Sequence, residues 1–227
     1  IKNIMVNINN VYQTVLAIAN KEQRGYITPQ EFNMFANHAQ MSIFEQYFYD
    51  LNQFTRIPGN DTSHSDMVDL LQEKISLFEQ SDSVSSQLPP ELYKIIEVRY
   101  RDKPVEYVTR KEHTATIGVP LVKPTDTKPV YVKSGDAITV YGDNIINSVN
   151  MSYIRKPLPP NWTYLEVQGA AVYNNLAPDH RNFELHASEE TELVNKILAL
   201  AGVAIKDYSL YQAAAGEDNK NIQQQKA

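Results

Sequence analysis

The sequence predicts an α+β chain: an N-terminal helical unit, a small antiparallel β-unit in the middle, and a C-terminal helix followed by an extended polar tail. Three observations predict it. Apolar residues recur at helical spacing in the first third, alternate with period two in the middle, and return to helical spacing near the end. Basic side chains concentrate in the middle, where residues 91–160 hold 11 basic and 8 acidic residues, against 5 and 10 in residues 1–90 and 5 and 9 in residues 161–227. Turn formers and prolines gather at the two changes of period, residues 81–90 and 156–160. The expected units are therefore 1–90, 91–157 and 158–227.

The first helix is set by Val11, Val15, Ile18 and Ala19, with Gly25 breaking the run. Thr28-Pro29-Gln30-Glu31 then carries a helix-start signature: Thr28 as N-cap, Pro29 in the first turn, and Glu31 reaching back as a capping box. Phe32, Phe35, Ala36, Ala39, Ile43, Phe44, Tyr47, Phe48 and Leu51 give this second helix a wide apolar face to about Asp50. Residues 57–65 read as a loop. A shorter helix with Met67, Leu70, Leu71 and Ile75 follows, and residues 81–90 read as a linker.

In the middle, residues 93–101 alternate as a strand does, and further strands are expected at 104–109, 113–119, 129–133, 137–141 and 149–155. Ser134-Gly135-Asp136 fits a hairpin turn, and Tyr141-Gly142-Asp143-Asn144 marks another. Pro157, Pro159 and Pro160 end the β-unit, because proline blocks both ladder and helix bonding. A short helix is expected over 163–174. Ser188-Glu189-Glu190 reads as an acidic N-cap, with an apolar stripe of Leu193, Val194, Ile197, Leu198 and Ala201, and Gly202 as its stop. Residues 208–227 are polar, have little to bury, and are expected to be ordered by a partner.

Composition narrows the function. The chain has 227 residues, 42% apolar and 21% charged, which fits a globular protein. It has no cysteine, so a disulfide framework, a thiolate metal site and a Cys nucleophile are excluded. No apolar run approaches the ~18 residues of a membrane span, and no basic start followed by an apolar core signals secretion. A formal charge of −6 argues against wrapping nucleic acid. The 19 Asn and 14 Gln are unusual; amides bond without the cost of desolvating a charge, which suits surfaces covered by another subunit, although genome coding bias produces the same composition.

No catalytic constellation emerges. There is no Gly-x-Ser-x-Gly elbow and no Gly-rich phosphate loop. Asp179, His180, Glu184 and His186 are of metal-ligand type but lack a fixed spacing, and read more simply as a polar loop; they define a minor alternative, a small metal-dependent hydrolase. His38 reads as a helix-face residue. Arg99, Arg101, Lys103, Arg110 and Lys111 with Tyr93, Tyr100 and Tyr107 have the make-up of a base-stacking platform, but interleaved acids favour charge pairs within the sheet. No cofactor and no metal are expected. The 14 Tyr and 12 Pro suit protein contacts. Candidate interface residues are Leu158, Pro159, Pro160, Trp162 and Tyr164, with Tyr208, Tyr211 and Ile222 from the tail. For Trp162, the only tryptophan, a plug at the junction of the β-unit and the last helices is an equal reading.

Three stretches carry a resemblance: residues 20–33 (NKEQRGYITPQEFN), residues 156–162 (KPLPPNW) and residues 189–198 (EETELVNKIL). Together they resemble virion structural proteins of crAss-like and related short-tailed bacteriophages. The resemblance implies a subunit of a neck or tail ring, a head-to-tail connector, stacked beneath the portal as a dodecamer around the DNA channel. Its partners would be copies of itself, the portal and adjacent ring or tail proteins, with DNA passing without specific binding and no membrane contact. The expected setting is the virion, reached through the host cytoplasm during assembly. A peripheral tail-hub or fibre-docking protein is the alternative of the same kind.

Overall fold

The computed structural model describes residues 5–21, 27–56, 62–204 and 216. The chain is α+β and divides into two compact units, one formed by Ile1–Lys74 with Pro157–Ala227 and the other by Ile75–Lys156. The N- and C-terminal thirds thus share one body, and the β-unit begins sixteen residues earlier than position 91, at Ile75.

The first unit is helical. Helices α1 (Ile8–Lys21), α2 (Pro29–Arg56) and α5 (Glu190–Ala204) bury their apolar stripes together. Val11, Val15, Phe32, Ala36, Ile43, Phe44, Leu193 and Ile197 are all buried there. The capping box that starts α2 is present: the Thr28 amide donates to Glu31 Oε2 at 2.9 Å and the Glu31 amide to Thr28 Oγ1 at 3.3 Å. Helix α3 (Thr62–Ser76) follows α2. Helix α5 is entered through a 3₁₀ turn, Ala187–Glu189, capped by His186 rather than by Ser188. It continues past Gly202 to Ala204, so that glycine is no stop. Gly25 and most of the expected loop at 57–65 lie outside the described residues or their described side chains.

The second unit holds two four-stranded sheets. In one, the order is β1 (Glu79–Val84), β8 (Val149–Arg155), β2 (Leu92–Tyr100), β3 (Lys103–Pro104), all antiparallel. In the other it is β4 (Glu106–Tyr107), β5 (Val130–Ser134), β6 (Ala137–Tyr141), β7 (Ile145–Ile146), with β4 parallel to β5. Val84, Val98, Ile138, Val140, Met151 and Tyr153 form its core. Gly135 adopts φ +56° in the turn that sets Ser134 opposite Ala137, as the sequence predicts for this hairpin. Gly142 is fixed by close approach instead: a Cβ there would lie 2.6 Å from Asp126 Oδ1.

Four expected elements are different. The strand expected at 104–109 is broken at Val105 between β3 and β4, which belong to different sheets. The supposed linker 81–90 contains most of β1, whose polar residues fit an exposed edge strand paired on one side only with β8. The strand expected at 113–119 is helix α4 (Arg110–Thr116), because Thr109 and Glu112 form a second capping box. The helix expected at 163–174 is a hairpin of β9 (Tyr164–Val167) and β10 (Ala170–Tyr173) in the first unit. Gln168 and Gly169 both take positive φ, 51° and 79°, in the two-residue turn between them.

Candidate interaction surfaces

Residues 157–163 run in extended form through the first unit, and two amides of α2 hold them. Asn33 accepts from the Trp162 amide at 2.8 Å and donates from Nδ2 to the Trp162 carbonyl at 3.1 Å and to Asn161 Oδ1 at 3.0 Å. Gln40, fully buried, donates to the Leu158 carbonyl at 2.8 Å and accepts from the Glu184 amide at 2.9 Å. Asn33 and Gln40 are seven residues apart, two helical turns, and so lie on one face. Asn9 Oδ1 accepts from the Trp162 indole at 3.1 Å, and Asn182 Oδ1 from the Ile8 amide at 3.1 Å. Asn33, Gln40 and Asn182 thus serve as internal partners for backbone, and Asn9 for the Trp162 indole.

Trp162 is 2% exposed, a plug in the interior of this unit and no docking residue. Tyr12 lies against it at 4.1 Å between ring centroids, and Tyr164 and Tyr173 stack on it at 5.8 and 5.7 Å. Of the other candidates, Pro160 is buried, Leu158 half-buried, Pro159 exposed, and Tyr164 exposed at one edge. Tyr208, Tyr211 and Ile222 lie outside the described residues.

That stacking orients the β9–β10 hairpin. The cross-strand pairs Tyr164–Tyr173 and Glu166–Ala171 share one face, and Leu165–Val172 and Val167–Ala170 share the other. The tyrosines turn the first face towards Trp162. The second face is wholly aliphatic, and all four of its residues are exposed, Leu165 by 58%. Leu176, just beyond the hairpin, is also exposed. An isolated two-stranded hairpin is marginal in water, so the Trp162 stack supplies its support.

The second unit carries a corresponding feature. Helix α4 buries none of its residues. It is tied down by His113, stacked on Tyr141 at 3.9 Å, and by Arg110, which donates to Ser134 Oγ at 2.6 Å. The chain then turns tightly, with the Val122 and Lys123 amides both donating to the Val119 carbonyl. This presents Ile117, Val119, Leu121 and Val122 to solvent, Leu121 by 96%. Contiguous exposed aliphatic residues of this kind mark contact sites.

The residues suggested for chemistry are engaged elsewhere. His180 Nε2 bonds the Tyr173 hydroxyl at 2.8 Å, and burial pushes that hydroxyl's pKa up. His186 Nδ1 caps the 3₁₀ turn by accepting from the Ser188 amide. Glu184 accepts from the Leu158 amide at 2.8 Å, and Asp179 from Asn161 Nδ2 at 3.0 Å. Among the described residues no group of three or more His, Cys, Asp or Glu is placed to hold a metal ion. His38 is exposed on α2. In the basic stretch, Arg99 pairs with Glu97 at 2.7 Å and Arg101 lies over the Tyr100 ring at 5.0 Å. A cleft of about 860 Å³ in the second unit, beside the end of β1 and the β5–β6 turn, mixes Asp82 and Asp136 with Lys133 and Lys156. No helix among the described residues is long and apolar enough to cross a membrane.

No protein-family model matches the sequence, and no curated protein aligns with it significantly.

Proposed function

We propose that the chain is a structural subunit of a bacteriophage virion, forming an oligomeric ring in the portal-proximal neck or tail around the DNA channel. Its role is assembly and genome passage, without catalysis. The observation that carries this reading is the pair of exposed aliphatic surfaces on two different units, β9–β10 on one and Ile117–Val122 on the other. A ring closes through a heterologous contact, in which two unlike patches of the same subunit meet. The resemblance of residues 20–33, 156–162 and 189–198 to neck and tail virion proteins supplies the setting, with the portal and adjacent rings as neighbours. The formal charge of −6 suits a channel wall that DNA passes without adhering, since like charges repel.

The test is the ratio of this chain to portal protein in purified particles, measured by quantitative mass spectrometry. A portal-matched ring predicts equal numbers. A count well below the portal's moves the protein to a peripheral hub or fibre-docking position, and absence from the particle removes the virion reading.

A further inference from the structure

The ring reading leaves open which surfaces meet. We infer that the aliphatic face of β9–β10 (Leu165, Val167, Ala170, Val172) of one copy seats on the Ile117–Val122 turn of the next. The inference rests on the ring reading and specifies its lateral contact.

Three features single out this pairing. Both surfaces are aliphatic and exposed among the described residues. Both are held from behind: the hairpin by Tyr164 and Tyr173 on Trp162, the turn by His113 on Tyr141 and Arg110 on Ser134. Each is thus presented on a support formed before contact, which lowers the ordering cost of association.

Charge then selects the second unit of a neighbour as the partner. The first unit has 10 basic and 17 acidic residues, net −7, while the second has 11 and 10, net +1. A two-fold contact between first units would oppose two negative bodies, whereas first unit on second opposes −7 to +1. The head-to-tail arrangement repeats that contact from copy to copy.

The absence of cysteine gives a direct test, because any introduced thiol is unique. Leu165→Cys and Leu121→Cys are made as separate full-length proteins, with Val167→Cys and Val119→Cys as a second pair. All four sites are on the surface, and Trp162 fluorescence checks that the first unit remains folded. Mild oxidation of the mixed proteins is followed by non-reducing electrophoresis, beside light scattering of the same samples. The expected result is a covalent dimer about tenfold more abundant in the mixture than in either variant alone, since thiols held together in a complex react at a high effective concentration. Dimers formed equally well by Leu165→Cys alone would overturn the inference in favour of a two-fold contact. Assembly without mixed cross-links in either pair would overturn it while leaving the ring reading standing. A monomeric mass at every concentration, without cross-links, would overturn both.

Discussion

The side-chain amide of Asn33 satisfies both backbone hydrogen-bonding groups of Trp162, accepting at 2.8 Å and donating at 3.1 Å. It does for an extended segment what a neighbouring strand would do, from the flank of a helix. Because Trp162 is buried, removal leaves its backbone donor and acceptor without a partner. Asn33→Leu should therefore destabilise the first unit by about 2–3 kcal/mol. Asn33→Asp keeps the acceptor for the Trp162 amide but sets a carboxylate oxygen against the Trp162 carbonyl and Asn161 Oδ1, and should be no better tolerated. Urea unfolding followed by the fluorescence of the single tryptophan reads both.

Lys74 and Glu189 form a 2.5 Å ion pair between α3 and the 3₁₀ turn before α5, with side chains only 16% and 5% exposed. The Lys74 ammonium also lies 5.4 Å from the centre of the Tyr47 ring. Burial and the neighbouring Glu189 carboxylate push the Tyr47 hydroxyl's pKa up. Losing one partner strands a buried charge, so Lys74→Met should cost about 3 kcal/mol. The double variant Lys74→Met with Glu189→Met should regain much of that loss, as measured by a double-mutant cycle of thermal or denaturant unfolding.

The two capping boxes should be visible in acid. Hydrogen bonds from the Thr28 amide and hydroxyl hold Glu31 below the ordinary carboxyl value of 4.5, and those of Thr109 do the same for Glu112. A folded-state pKa below the unfolded one favours the native state above the ordinary value. That contribution is lost as pH falls through the depressed value. Side-chain carboxyl titration by NMR should place both midpoints under 4.5, and Thr28→Val should return Glu31 towards it.

Tyr153 makes the opposite prediction at alkaline pH. Burial, with the Asp82 carboxylate accepting from its hydroxyl at 2.7 Å, raises its pKa from 10.0 to about 12. A raised folded-state pKa gives stability that is full below the unfolded value of 10.0 and is lost as pH rises towards 12. Tyrosine absorbance should lose one late-ionising component in Tyr153→Phe, while the other raised tyrosines, Tyr47 among them, keep theirs.

Much of the fold was legible. Strands β6 and β8 fall on the expected 137–141 and 149–155, and the Thr28–Glu31 box starts α2 where the sequence places it. The same Thr-x-x-Glu signal at Thr109–Glu112 starts α4, where a strand is expected at 113–119; a capping box fixes backbone donors and so overrides weak periodicity. At 163–174, where a short helix is expected, Gln168-Gly169 between Val167 and Ala170 is the hairpin-type signal that this expectation missed. Strand β1 is polar throughout except at Val84, and its place beside β8 comes from long-range pairing that local pattern does not contain.

The interaction surface was less legible. Aromatic and proline content drew attention to Trp162, whose burial is decided by partners as distant in sequence as Tyr12 and Asn33. The richness in amides pointed outwards, whereas Asn33, Gln40 and Asn182 point inwards to backbone. Leu121 and Leu165 carry no motif and become conspicuous only once the fold leaves them uncovered.

The central claim is self-assembly into a ring, and the most direct measurement is the mass of the purified chain in solution, alone and with portal protein added. A single closed species near the dodecamer, formed alone or on the portal, is the predicted result. A monomer that ignores the portal across the accessible concentration range would contradict the ring and the contact assigned to it.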